Sequence, residues 1–206
     1  MKSIKTRNSR SSNKKIRGLA LLEILIAIGI LGIISAGVAT LASRTFEEQN
    51  ASLINKSVTD LSMSLKKAFS RAGRYSGTQA DFGALIAAGA ISENSATNPI
   101  TNAVYGYTPV QKYPGAVSGS AFVLTISGLS DSLCKKIATG ALVTDASYFA
   151  LVDTAAAVAP ADFSGTPDIS TGLIKTLEGL DPDANDPLQY ATLCNDGDNT
   201  ILYGTY

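Results

Sequence analysis

The sequence predicts an α+β protein in which a long N-terminal α-helix packs on an antiparallel β-sheet. Three observations carry that prediction. Ile24 to Ser43 is a twenty-residue run without a charge, about 30 Å of helix at 1.5 Å per residue. Beyond it, apolar residues recur at steps of three and four as far as Ala72, and no proline occurs before Pro99. From residue 74 onward, strand-like and helix-like stretches mix without the regular strand–helix–strand alternation of a parallel sheet.

Residues 1–18 form a basic leader with Lys2, Lys5, Arg7, Arg10, Lys14, Lys15 and Arg17 and no acid. The chain's 17 basic and 17 acidic residues balance only because of it: the remainder holds ten bases against all 17 acids, a net charge of −7. Bases beside an apolar span hold that end in the cytoplasm and send the rest outward. A nucleic-acid-binding arm would need no span fused to it. A secretory signal peptide has a shorter apolar stretch ending at a small-residue cleavage site, whereas Ser35-Ala36-Gly37 would be cut within this one. A plain signal anchor explains flank and span but not Glu23. A carboxylate in a membrane span costs about 2.5–3.5 kcal/mol at the helix centre, and less near an end.

Gly18, the apolar Leu19 after it, and Glu23 as the fifth residue from Leu19 resemble the processing site of bacterial type IV prepilins. The resemblance implies that prepilin peptidase cuts between Gly18 and Leu19 on the cytoplasmic side and methylates the new amino group of Leu19. The long leader and Leu19 in place of Phe are most similar to the type IVb class. Two roles stand open for Glu23. In the family it meets the positive amino terminus of a neighbouring subunit and so sets assembly register; that amino group has a pKa near 8. Alternatively, Glu23 complements the positive end of its own helix, worth about 0.3–1 kcal/mol.

The helix is expected from about Leu19 to Ala72, about 80 Å long, with Gly73 as the stop. Residues 19–43 are its transmembrane or filament-core half. Gly29, Gly32 and Gly37 allow close helix approach there, and Gly32 to Gly37 is a stretch expected to extend once out of lipid. Residues 44–73 are its amphipathic half. Ile54, Val58, Leu61, Leu65, Ala68, Phe69 and Ala72 make a stripe that suits a globular domain, or a coiled-coil seam without a sustained heptad.

Residues 74–206 suffice for one globular head. A short helix is expected at Asp81–Ala88, capped near Thr78 or Asp81 and stopped by Gly89, with a turn at Asn98-Pro99. Ala121–Ser127 reads as the clearest strand, ended by Gly128, and Ser130–Ile137 as a helix capped by Ser130 or Asp131. Ser147–Val152, Tyr190–Cys194 and Thr200–Tyr206 are the other strands expected, with an Asp196-Gly197 turn between the last two. Type IV pilins pack such a sheet on the outer half of the long helix, so the resemblance implies a pilin-like head.

Cys134 and Cys194 both follow the span, and an oxidising location favours a disulfide between them. In pilins the matching feature is a disulfide-bounded C-terminal region exposed on the filament. The chain has no histidine, which removes the usual general base and metal ligand, and it has no nucleotide or hydrolase motif. No enzymatic activity and no cofactor are expected. Asp181, Asp183 and Asp186, and Asp196 with Asp198, are weak calcium candidates that depart from the full loop spacing of known calcium sites.

The resemblance thus implies the major structural subunit of a type IVb pilus, made as an inner-membrane precursor in contact with lipid. The chain would polymerise with itself into an extracellular filament for adhesion, aggregation or conjugative DNA transfer. Prepilin peptidase, a membrane platform protein and, indirectly, an assembly ATPase are the partners implied, with a host or recipient-cell surface as a further one. A minor pilin or type II secretion pseudopilin shares the same N-terminal signal. A signal-anchored exported enzyme or binding domain is the alternative of another class.

Overall fold

The computed structural model describes residues 14–152, 157–195 and 197–206, so Asp196 and the first thirteen leader residues lie outside it. The chain divides into two units between Thr45 and Phe46.

The described part of the first unit is helix. α1 (Lys14–Phe69) is already helical at Lys14, the first described residue, five residues before the start the sequence suggests. Its Leu, Ile and Ala residues offer no side-chain hydrogen bond to compete with the helix, and the helix continues unbroken through Gly29, Gly32 and Gly37. The hydroxyls of Thr40, Ser43 and Thr45 each donate to a carbonyl three or four residues back at 3.0 Å. Large apolar side chains from Leu21 to Leu41 are exposed throughout.

The second unit begins with the rest of α1, where the predicted stripe becomes core: Ile54, Val58, Leu61 and Leu65 are fully buried. Each such side chain contributes about 1.5–3 kcal/mol. The helix ends at Phe69, slightly earlier than Ala72. Gly73 terminates it by adopting φ +67 and donating its N–H to the Phe69 carbonyl at 3.2 Å. α2 (Phe82–Ala87) follows a turn in which the Thr78 N–H donates to Asp81 Oδ2 at 2.6 Å, and Gly89 closes it with φ +68. α3 (Glu93–Ala96) was not foreseen.

The sheet has six strands in the order β1-β2-β6-β3-β4-β5, all neighbours antiparallel. They are β1 (Gly106–Val110), β2 (Ala121–Leu129), β3 (Tyr148–Val152), β4 (Leu173–Thr176), β5 (Gly179–Leu180) and β6 (Asn199–Thr205). β6, last in sequence, lies between β2 and β3 and is buried along its whole length. One sheet face, with Phe122, Leu124, Ile126, Phe149, Leu151 and Tyr203, shares a core with the α1 stripe. The other carries a smaller core of Val123, Tyr148, Ala150 and Leu202 around Phe163.

α4 (Asp131–Ala138), with Ser130 at its N-cap, agrees with the sequence, and α5 (Ala141–Asp145) is additional. Two expectations fail. Gly128 does not end β2. The strand continues to Leu129 with a register shift between Ile126 and Leu129, where Gly128 takes φ +73 and acts as a bulge. Tyr190–Cys194 is not a strand but belongs to α6 (Pro187–Leu193) and its C-cap. Pro187 opens that helix, the Asp186 carboxylate accepts the Leu188 N–H at 2.9 Å, and the buried Tyr190 hydroxyl donates to the Ala184 carbonyl at 2.8 Å. Those local bonds outweigh the strand preference of Tyr190.

Candidate functional site

Gly18 and Leu19 both lie in α1, so the bond between them is helical backbone. Glu23 follows Leu19 by four residues, just over one helical turn. It is exposed, and neither ion pair among the described residues, Lys135–Asp131 and Lys136–Glu48, involves it. It lies nine positions past Lys14, about two and a half turns, beyond the first turn in which a helix dipole acts. A chain beginning at Leu19 would put Glu23 about one helical turn from a charged amino group. Both open roles for Glu23 therefore gain from a cut at this bond.

Past Glu23 the surface is apolar and uncovered: Leu25, Ile28, Leu31, Ile33 and Leu41 are each more than half exposed. One helix among the described residues is long and apolar enough to cross a membrane, and its apolar window is not buried. An uncovered apolar face headed by one carboxylate is stable only in lipid or against other such helices.

In the second unit, Cys134 and Cys194 form a disulfide with Cα atoms 5.9 Å apart, tying α4 to the end of α6. The acidic segment before it is largely engaged. Asp181, 7% exposed, accepts the N–H groups of Ile169 and Asp183 at 2.9 and 2.7 Å, and Asp186 caps α6. Asp183 and Asp198 are exposed. Among the described residues, no group of three acids, cysteines or histidines converges as a metal site would require.

The polar latches between α1 and the sheet escaped the sequence reading. Ser57 shares a buried hydrogen bond with Tyr105 at 2.5 Å, and Lys66 Nζ donates to Thr205 Oγ1 at 2.8 Å. Burial pushes the Tyr105 phenol up to about 12, with the Ser57 bond opposing it, and pulls the Lys66 ammonium down. Ser57, a polar residue beside Ile54 and Val58 of the apolar stripe, was the only signal of these contacts in the sequence.

Comparison with known proteins gives three results. Residues 13–39 match the family model of the prokaryotic N-terminal methylation motif. The chain is 30% identical over 173 residues to the toxin coregulated pilin of Vibrio cholerae serotype O1, El Tor Inaba, covering 78% of this chain and 75% of that protein. A second toxin coregulated pilin of Vibrio cholerae is 28% identical over the same length. The crystal structure of TcpA, a type IV pilin from Vibrio cholerae El Tor, superposes with a TM-score of 0.65 at 20% identity, covering 77% of this chain and 99% of that one.

Proposed function

This chain belongs to the type IV pilin family and is a pilin subunit of the type IVb kind; from that premise we propose how it matures and assembles. The precursor sits in the inner membrane with α1 residues 19–43 in lipid and the leader in the cytoplasm. Prepilin peptidase cuts between Gly18 and Leu19 and methylates the Leu19 amino group. The cut exposes a cation four residues from Glu23. The amino group of one subunit then neutralises Glu23 of another as the apolar halves of their helices pack together. A platform protein lifts the subunit from the membrane, driven indirectly by an assembly ATPase, because this chain has no nucleotide motif.

The observation that carries this mechanism is the isolated Glu23 at the head of an uncovered apolar helix face. Burying an unpaired carboxylate in an apolar filament core costs several kcal/mol, so registers that leave it unpaired are rejected. The filament serves in adhesion, aggregation or conjugative DNA transfer, with a host or recipient-cell surface as its target.

The test is an intact mass with N-terminal sequencing on protein sheared from the cell surface. A chain starting at methylated Leu19, two hydrogens lighter for the Cys134–Cys194 bond, is the expected result. A full-length chain confined to the membrane fraction sinks the mechanism.

A further inference from the structure

A cleft of about 220 Å³ opens between the end of α1 and the residues that flank β2 and β6. Lys66, Ser70, Arg74, Ser120 and Tyr206 bring polar groups to its wall, and no carboxylate lines it. A close backbone approach builds that wall. Gly119 takes φ +75 and its carbonyl accepts the Tyr75 N–H at 2.7 Å, while a Cβ on Gly119 would collide with the Tyr75 carbonyl. Glycine at 119 therefore lets Ser120 settle beside Tyr75. The Tyr75 ring is held edge-on by Phe69 at 5.8 Å and by Phe122 at 4.6 Å.

The cleft holds donors without acceptors. Lys66 Nζ gives one N–H to Thr205 Oγ1 at 2.8 Å, and Ser120 Oγ accepts the Lys112 backbone N–H at 2.8 Å. Two ammonium protons and one hydroxyl proton are left with no acceptor among the described residues. The Arg74 guanidinium has no hydrogen bond or ion pair among them either. Lys112 Nζ, 3.4 Å from the centre of the Tyr206 ring, adds a third cation. The carbonyls at the end of α1, which would repel an anion, are engaged: Ser70 donates to Lys67 at 2.8 Å, and Ala72 and Gly73 donate to Phe69 at 3.0 and 3.2 Å. Burial pulls the Lys66 ammonium down, so it has already lost part of its hydration and gains more from an anion than an exposed lysine does.

We propose that this cleft binds a compact oxyanion, a carboxylate or sulfate group, with Lys66 and Arg74 supplying the charge and Ser120 a hydroxyl donor. Arg74 offers the planar fork that matches two oxygens of such a group. The volume is about seven times that of a water molecule in the liquid, enough for the free ion or for the ion carried on one sugar ring. The site lies wholly in the second unit and takes no part in the maturation and assembly proposed above.

The test is an anion titration of the isotope-labelled full chain in detergent micelles, at constant ionic strength set with sodium chloride. It is followed by the amide resonances of Arg74, Ser120 and Tyr206. Sodium sulfate and sodium glucuronate are the probes, and glucose is the neutral control. The expected result is a saturable shift at those amides, half complete below about 10 mM for at least one anion, and none with glucose. Arg74→Gln weakens the binding about tenfold or more. Lys67→Gln, which removes an equal charge from an exposed position outside the cleft, changes it less than about twofold. Sulfate binding as tightly as glucuronate, or more tightly, makes the free ion the ligand; glucuronate binding about tenfold tighter makes it an anion carried on a sugar. Shifts that stay linear in anion concentration, saturation by glucose, or equal losses in Arg74→Gln and Lys67→Gln overturn the site.

Discussion

Replacing both cysteines, as Cys134→Ala with Cys194→Ala, removes a cross-link across a sequence separation of 60 residues. In the chain-entropy account, closing a loop of that length lowers the entropy of the unfolded chain by about 14 cal/mol/K, or about 4 kcal/mol at 25 °C. Both residues are almost fully buried, and alanine at each leaves a small void that adds to the loss. The loss is a large share of the stability of a domain this size. All eight tyrosines lie in the second unit and the chain has no tryptophan, so tyrosine fluorescence reports that unit alone. The assay is urea unfolding of the full chain in detergent micelles, followed by that fluorescence. With a slope of about 2 kcal/mol per molar urea, the midpoint should fall by about 2 M. A shift below about 0.5 M, with the bond intact in the unsubstituted protein, would refute the reasoning. It would mean that the unfolded chain already holds α4 near α6.

Three further outcomes are expected. Gly204→Ala puts a Cβ 2.6 Å from Phe163 Cζ and 2.8 Å from Tyr148 Cβ, and those rings stack at 5.4 Å, so neither yields freely. Stability should drop by about 1–3 kcal/mol, and an unchanged urea midpoint would contradict the packing. Tyr105 ionises near 12 in the folded chain and near 10 unfolded, because burial disfavours its phenolate, and Tyr107, Tyr148 and Tyr203 shift the same way. Stability is therefore full below pH 10 and declines as pH rises toward 12, by about 3 kcal/mol from Tyr105 alone. Tyrosinate absorbance should rise late and together with loss of fold; eight phenols titrating near pH 10 in a folded chain would count against it. Glu23→Ala should leave precursor in the membrane fraction and abolish sheared filament, and a normal filament yield would exclude Glu23 from register.

The parts of the fold that were legible in the sequence are those set by neighbours along the chain. The stripe Ile54, Val58, Leu61 and Leu65 follows the helical repeat and became core as expected. Gly73 and Gly89 stop helices because they alone can take positive φ there at little cost. β1 was not legible, because Gly106 and Pro109 argue against a strand. The structure accepts both because β1 is the sheet's edge, where a missing N–H costs no ladder bond. At Gly128 the signal was right and its meaning ambiguous, since positive φ serves a bulge as well as a stop. Tyr190 was misread because its preference for strands is weaker than the Asp186 cap and the Pro187 start.

The sequence by itself determined the basic leader, the Gly18-Leu19 and Glu23 spacing, the uncharged run to Ser43 and the burial stripe beyond it. Each is a matter of composition or of a repeat shorter than one turn or one strand step. Only the tertiary structure decided that β6, last of the six strands in sequence, enters the sheet between β2 and β3. The same is true of the meeting of Lys66 with Thr205. These arrangements depend on which distant apolar faces bury each other best. That choice is made by contacts between residues far apart in the chain, from Val152 with Thr200 to Lys66 with Thr205, whose loop-closure cost no local pattern records.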